Sequence, residues 1–288
     1  MYAAEKRRKF RALLASGQCY YPGSVFDALS ARIAEDLGFE MGMLGGSVAS
    51  LAVLGAPDLI VLTLTEFADL CRRICRAGDL PLIVDADHGY GNALNVKRTV
   101  EELEVAGIAA LTIEDTLLPR PFGQEKVELI SIDEGVGKMK AALAGRQDRE
   151  MVIIGRSSAI ALNGLEDGIA RAKAYEAAGV DALFMLGMKN PAQLEAISSA
   201  VKIPLMTGYI DPKIVSRETM AKNRVRICLQ GHQPIAAGYQ AVHTTLKAIR
   251  DGVAPDKLPN LPSEALTKQL SRDADYAAWT KAFLDPAR

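Results

Sequence analysis

The chain has 288 residues, of which 49% are hydrophobic, 6% aromatic and 24% charged, with a formal net charge of -1. That balance offers no basic footprint for nucleic acid and no strong field toward a membrane surface, so the expected partners are small molecules or proteins. With so few aromatics, the core must be built mainly from Ala, Leu, Ile and Val, which suits a parallel-sheet α/β protein large enough for a sizeable interior.

The first ten residues, M-Y-A-A-E-K-R-R-K-F, are charged and lack the apolar run of a signal peptide or membrane span, so a cytoplasmic enzyme is the default expectation. A helix is predicted from Glu5 to Ala15, ending near Ser16-Gly17, and a strand around Gln18 to Tyr20. Ser24-x-x-Asp27 resembles a capping box with Asp in place of the usual Glu. It opens a helix with Leu29, Ile33 and Leu37 on one face before Gly38 stops it. Met41 to Leu44 reads as the second strand, turned sharply by Gly45-Gly46-Ser47. The apolar segment from Val48 to Leu62, with Gly55, Pro57 and Asp58 in its middle, is long enough for a mobile lid, and Thr63-x-x-Glu66 then caps a helix to about Ala77.

Leu82, Ile83 and Val84 form a third, buried strand whose end becomes acidic. Asp85 and Asp87 stand two apart, the spacing that shares a face, and Gly89 and Gly91 allow a tight turn. Val96, Val100 and Leu103 stripe the helix that follows. Ala109 to Ile113 is the fourth strand, finishing on Glu114 and Asp115. The loop Thr116 to Ile130 is longer than a connector needs, and Ser131-x-x-Glu134 caps the next helix. Met151 to Ile154 is the fifth strand, with Arg156 just past its end, and Asn163-x-x-Glu166 caps a helix reaching Ala178, with Gly179 after it. Ala182 to Leu186, Pro204 to Met206 and Arg226 to Leu229 supply strands six to eight. From Gly231 the chain is mostly helical, broken by Pro255, Pro259 and Pro262.

Eight short strands alternating with helices have the period of a (β/α)8 TIM-type barrel, and no composition shift marks a second domain. The expected organisation is one barrel domain over residues 1–288, with extra C-terminal helices over 255–288. That segment carries Leu258, Leu261, Leu266, Leu270, Tyr276, Trp279 and Phe283, an apolar load that must pack on a barrel. A doubly wound open sheet is the alternative, but no G-x-G-x-x-G follows the first strand and the P-loop signature is absent.

In a barrel the polar strand ends converge on one mouth: Ser47, Asp85 and Asp87, Glu114, Arg156, Tyr209 and His232. Three carboxylates with an arginine, a serine and a histidine describe a hard-cation site with room for an anionic ligand. Carboxylates without nearby His or Cys select Mg²⁺ or Mn²⁺ over zinc, and Mg²⁺ keeps several waters. Asp85 is therefore the expected direct ligand, with Asp87 and Glu114 holding metal-bound water. Arg156 could bridge to Glu114 or Asp115, but its place after a strand favours bidentate recognition of a substrate carboxylate. His232, in Q-G-H-Q-P, is one of three histidines. His88 is placed to orient the acids, and His243 falls within a helix pattern. The cysteines, Cys19, Cys71, Cys75 and Cys228, form no C-x-x-C pair and read as reduced structural thiols.

The D-A-D-H-G-Y-G-N stretch from Asp85, with I-E-D one strand later, F-D-A-L-S-A-R-I-A-E-D-L-G-F near the start and Gly-Arg-Ser after strand five, resembles the phosphoenolpyruvate mutase and isocitrate lyase superfamily. The resemblance covers most of the chain and implies an Mg²⁺-dependent barrel that makes or breaks bonds next to an α-keto acid enolate, its last helix swapped onto a neighbouring subunit. Within the superfamily the likeness is closest to the oxaloacetate decarboxylase branch. The residues carrying it are the His after D-A-D, G-G-S-V-A-S-L after strand two, T-I-E-D-T-L-L-P after strand four and G-H after strand eight.

That branch implies decarboxylation of oxaloacetate to pyruvate and CO₂ through a metal-stabilised enolate. Ser47 and Arg156 would hold the substrate carboxylate, Asp85 would bind Mg²⁺, His232 would touch the ligand, and the proton would come from Tyr209, His232 or water. A homotetramer of swapped dimers is implied as well. The loop after strand four reads G-Q-E-K-V-E-L, without the Cys of the K-K-C-G-H that isocitrate and methylisocitrate lyases carry there. Ser157-Ser158-Ala159, Gln230-Gly231-His232 and M-T-G-Y-I-D-P from Met206 also depart from the decarboxylase pattern. The rival functions are a lyase for a larger 2-hydroxy diacid, of methylisocitrate or dimethylmalate type, a phosphonate-forming mutase, and a silent barrel with a binding or assembly role.

Overall fold

The structure, a computed structural model, describes residues 2–285. Eight parallel strands follow one another in chain order: β1 (Gly23–Ser24), β2 (Gly42–Leu44), β3 (Leu82–Asp85), β4 (Ala110–Glu114), β5 (Val152–Ser157), β6 (Ala182–Met185), β7 (Leu205–Thr207) and β8 (Val225–Cys228). Tyr20 joins the two ends of the series through a parallel bridge to Ile227. Its N–H donates to the Arg226 carbonyl at 2.7 Å, and its carbonyl accepts from the Cys228 N–H at 3.0 Å. This is the expected (β/α)8 barrel. Its strands are short continuous apolar runs because helices cover the outside and side chains fill the inside.

Met43, Ile83, Ala110, Val152, Phe184, Met206 and Ile227 lie in one buried cluster with Phe10 and Leu14 of α1 (Ala3–Ala15). The polar side chains of α1 fix why it sits there. Lys6 donates to the carbonyls of Cys75 and Gly78, Arg7 Nε to that of Ile108 at 3.0 Å, and Arg11 to Asp181 at 3.0 Å. These acceptors all lie just before β3, β4 or β6, so α1 closes the end where strands begin. The carboxyl ends are left for ligand, as in other barrels of this type.

Short-range signals held where caps and stripes were clear. Thr63 accepts from the Glu66 N–H at the start of α4 (Leu64–Ala77), and Ser131 from the Glu134 N–H at the start of α6 (Ile132–Gly145). Val96, Val100 and Leu103 are fully buried along α5 (Ala93–Ala106). Other expectations are corrected. The first strand is Gly23–Ser24 rather than Gln18–Tyr20, because Tyr20 makes only the closing bridge. Asp27, not Ser24, caps α2 (Ala28–Asp36), accepting from the Ser30 N–H at 2.7 Å. Along α2 it is Ala31 and Ala34 that turn inward, where small side chains allow close approach to the sheet. Leu29, Ile33 and Leu37 remain 46%, 38% and 72% exposed.

Gly45-Gly46-Ser47 is not a sharp turn. Gly45 caps α3 (Gly46–Leu54), which Gly55 ends in the left-handed region, so much of the expected lid is helix. Arg156 lies inside β5. Asn163 ends the short α7 (Ala159–Leu162) and Gly164 caps α8 (Leu165–Ala178), where Gly179 supplies the expected left-handed stop. The remaining helices of the barrel unit are α9 (Pro191–Ala200) and α10 (Arg217–Lys222).

Compactness divides the chain into a unit ending at His232 and a helical unit from Gln233 onward. The second contains α11 (Gln233–Arg250), α12 (Glu264–Ser271) and α13 (Asp273–Phe283), and it exposes Tyr239, Leu246, Leu266, Tyr276, Trp279 and Phe283. Residues 286–288 of the expected C-terminal segment lie outside the described residues. Among the described residues no helix is long and apolar enough to cross a membrane.

Candidate active site

The acidic end of β3 is tied down by the two strands beyond it. Asp85 Oδ1 accepts from Thr112 Oγ1 at 2.8 Å, and Thr112 is its register partner on β4. Asp85 Oδ2 pairs with Arg156 Nη1, and Arg156 Nη2 lies 3.2 Å from Glu114 Oε2, its own register partner across β4 and β5. The guanidinium thus stands between two carboxylates. The bridge that the sequence reading set aside is formed, and its second partner is Asp85 rather than Asp115. Asp115 is fully buried elsewhere, accepting from Arg171 at 3.0 Å and Tyr175 at 2.7 Å. The Phe184 ring lies under Arg156, 5.5 Å from the guanidinium carbon to the ring centroid, and a cation over an aromatic face is favoured.

Asp87 adopts a left-handed backbone at φ 48°, and its carbonyl accepts from the Glu114 N–H at 2.8 Å. A Cβ on Gly46 would fall 2.4 Å from Asp87 Oδ1, so only glycine lets the start of α3 come this close. Burial, then Asp85 and Glu114, push the Asp87 carboxyl up to about 9. Burial pushes Glu114 up to about 6, with Arg156 opposing. Burial works against the Arg156 charge, but Asp85 and Glu114 more than offset it and raise its pKa.

His232 follows β8, and its Nδ1 lies 2.8 Å from Ser24 Oγ. Burial lowers its proton affinity, with Asp85 opposing. His88 is buried, its carbonyl accepts from Lys138 Nζ at 2.9 Å, and burial lowers its pKa to about 4, so its ring is neutral. Thr112 and Arg156, rather than His88, are the side chains that hold Asp85. His243 is exposed on α11, and the cysteines are free and buried.

A pocket of about 440 Å³ brings together Ser47, Asp85, Asp87, Glu114, Arg156 and His232. Met43, Phe184, Leu186 and Leu229 form an apolar wall, and Arg120 and Lys126 reach in from the loop after β4. Tyr209 is 60% exposed and is not among the lining residues. Sequence reading passed over Asp58, which also lines the pocket and whose carboxyl is raised by burial and then by Asp85. It passed over Thr112 too, although Thr112 and Glu114 two apart on one strand share a face and could have been paired by that rule.

A profile of the family described as phosphoenolpyruvate phosphomutase matches residues 10–250. The chain is 58% identical over 273 residues to a protein of Bradyrhizobium diazoefficiens named oxaloacetate decarboxylase, covering 95% of each. It is similar to the solved structure of phosphonopyruvate hydrolase with oxalate and Mg²⁺, at a TM-score of 0.84 and 32% identity over 99% of this chain and 100% of that one. A second similar structure is oxaloacetate acetylhydrolase with the inhibitor 3,3-difluorooxalacetate, at a TM-score of 0.85 and 26% identity over 99% of each chain. The strand order, the acidic mouth and a profile match across most of the sequence agree, and the chain belongs to the phosphoenolpyruvate phosphomutase family.

Proposed function

We propose that this protein is a cytoplasmic, Mg²⁺-dependent lyase that decarboxylates oxaloacetate to pyruvate and CO₂. The observation that carries the reading is the gathering of Asp85, Asp87 and Glu114 in one pocket with His232, the guanidinium of Arg156 lying between Asp85 and Glu114. The relative named oxaloacetate decarboxylase supports the choice of reaction.

The donor set fits a hard dication. Asp85 and Glu114 share one arginine, and Asp87 beside them is held toward its protonated form by burial and by its acidic neighbours, a state that a further positive charge would relieve. Among the described residues no group of three or more His, Cys, Asp or Glu side chains is arranged to hold a metal directly. Asp85 would be the direct ligand of an ion that keeps most of its waters, with Asp87 and Glu114 acting mainly through water. Mn²⁺ would serve in the same place.

When bound, the metal supplies a Lewis acid that draws electron density from the C2 ketone of the keto acid. Ser47 and Arg156 would hold the C1 carboxylate. Breaking the C3–C4 bond releases CO₂ and leaves the electron pair on the three-carbon fragment as an enolate. Arg156, placed over Phe184 and between Asp85 and Glu114, would meet that developing charge from a position already set. His232 would either seat the C4 carboxylate or, after taking a proton from solvent, pass it to C3. The apolar wall of Met43, Leu186 and Leu229 limits water around the reacting carbon.

The test is a screen of 2-keto and 2-hydroxy diacids with and without Mg²⁺, following pyruvate and subtracting the decarboxylation that Mg²⁺ alone causes. Oxaloacetate turnover should vanish with EDTA, return with Mg²⁺ or Mn²⁺, and be inhibited by oxalate, which mimics the planar enolate. A metal-loaded protein that adds nothing to the background, while cleaving a larger diacid, would overturn the decarboxylase reading.

The same reading includes assembly as a homotetramer of dimers that exchange their C-terminal helices. Its support is apolar surface left exposed in both units, Leu29, Ile33 and Leu37 on α2 and Leu266, Trp279 and Phe283 on α12 and α13. Sedimentation at micromolar concentration should give a tetramer. A monomer there contradicts the assembly.

A further inference from the structure

Ser24 ends β1 and His232 follows β8, so the two are neighbours across the seam that Tyr20 closes. The 2.8 Å contact between Ser24 Oγ and His232 Nδ1 ties one side of the imidazole to the barrel wall. The other side faces the corner between β2 and α3. A Cβ built on Gly45 would lie 2.8 Å from His232 Nε2, so a glycine there leaves that nitrogen its room. Ser47 of the same corner lines the pocket together with His232.

An imidazole ring can turn over about its Cβ–Cγ bond, exchanging nitrogen for carbon at little cost. A hydrogen bond to one nitrogen selects both the orientation and the position of the proton on the other. We infer that Ser24 is a positioning residue for His232: its hydroxyl donates to Nδ1, so that Nε2 carries the ring's N–H toward the anionic ligand. The inference rests on His232 facing the substrate, as proposed above.

The direction of the bond follows from what each nitrogen must meet. A keto diacid presents carboxylate oxygens, which call for a donor at Nε2. A neutral ring with its proton on Nε2 has a bare acceptor at Nδ1, and Ser24 is the side chain that reaches it. Burial of His232 disfavours a second proton on the ring, with Asp85 opposing. Had the proton rested on Nδ1, Nε2 would turn a lone pair toward a carboxylate and repel it. Ser24 was read from the sequence as a helix cap, but Asp27 fills that position and leaves the Ser24 hydroxyl to His232.

The experiment compares the full-length wild type with Ser24→Ala, Ser24→Thr and His232→Gln, reading kcat and KM for oxaloacetate with Mg²⁺ and the solid-state ¹⁵N spectrum of histidine-labelled protein. With three histidines in the chain, the His232 signals are those lost in His232→Gln. The wild type should show His232 protonated on Nε2 and hydrogen-bonded, without a proton, on Nδ1. Ser24→Ala should move the Nδ1 signal toward that of a free acceptor and lower kcat/KM by about fivefold to tenfold, the scale of one hydrogen bond. Ser24→Thr, which keeps the hydroxyl, should restore both.

A proton on Nδ1 in the wild type, or a His232 spectrum unchanged in Ser24→Ala, overturns the inference. Kinetics unchanged in Ser24→Ala but impaired in His232→Gln remove Ser24 alone. Wild-type kinetics in His232→Gln remove the reading of His232 itself.

Discussion

Asp85→Ala is expected to abolish all turnover of oxaloacetate above the background of free Mg²⁺. The substitution removes the carboxylate proposed as the direct metal ligand, and the remaining acids, Asp87 and Glu114, are proposed to act mainly through water. It also strands two partners, the Thr112 hydroxyl and one face of the Arg156 guanidinium. Removing one member of a partly buried ion pair destabilises by about 3–5 kcal/mol, so folding must be checked alongside activity. Asp85→Asn separates the two effects. Its amide oxygen can still accept from Thr112 Oγ1 and from the Asp87 N–H, but it brings no charge to a cation. It keeps those two hydrogen bonds but loses the pairing with Arg156, so it should melt between Asp85→Ala and the wild type while binding Mn²⁺ too weakly to be detected by electron paramagnetic resonance at millimolar metal. Activity that survives Asp85→Ala with undiminished metal affinity shows that the metal sits elsewhere.

Arg156→Ala should lower kcat/KM by roughly 30-fold to 1000-fold. That corresponds to about 2–4 kcal/mol, the scale on which deleting one preorganised donor to a developing oxyanion acts. The loss should fall on both KM and kcat, because Arg156 is proposed both to hold the C1 carboxylate and to meet the charge that grows as the C3–C4 bond breaks. Metal affinity provides the control. Without the guanidinium, Asp85 and Glu114 lose their positive partner, so Mg²⁺ should bind at least as tightly as in the wild type. A variant that loses activity together with its metal would assign Arg156 to the metal site instead. Arg156→Lys should recover only part of the rate, since a single ammonium cannot span Asp85 and Glu114 while lying flat over Phe184.

Much of the architecture was legible in the sequence because its signals are local. The apolar runs of the strands, the Thr63 and Ser131 caps, the Val96, Val100 and Leu103 stripe and the glycine after α8 each depend on residues within a few positions of one another. Strand ends rich in acid could be read as a ligand face for the same reason, since a barrel brings every such end to one mouth. The sequence could not show what covers a helix face. Leu29, Ile33 and Leu37 form a good stripe on α2, yet Ala31 and Ala34 are the residues that pack inward.

The pairings within the site belong to the tertiary structure alone. Arg156 meets Asp85 across 71 residues of sequence, and Ser24 meets His232 across 208. The first depends on the register of β3 against β4 and β4 against β5, the second on how the last strand closes against the first. Residue type placed Asp85, Glu114, Arg156 and His232 at a barrel mouth. Register and closure decided that the guanidinium lies between Asp85 and Glu114, that Asp58 joins the pocket and that Tyr209 does not line it. Neither leaves a trace in local periodicity, because hydrogen bonds between parallel neighbours constrain residues far apart in the chain and leave those beside them free.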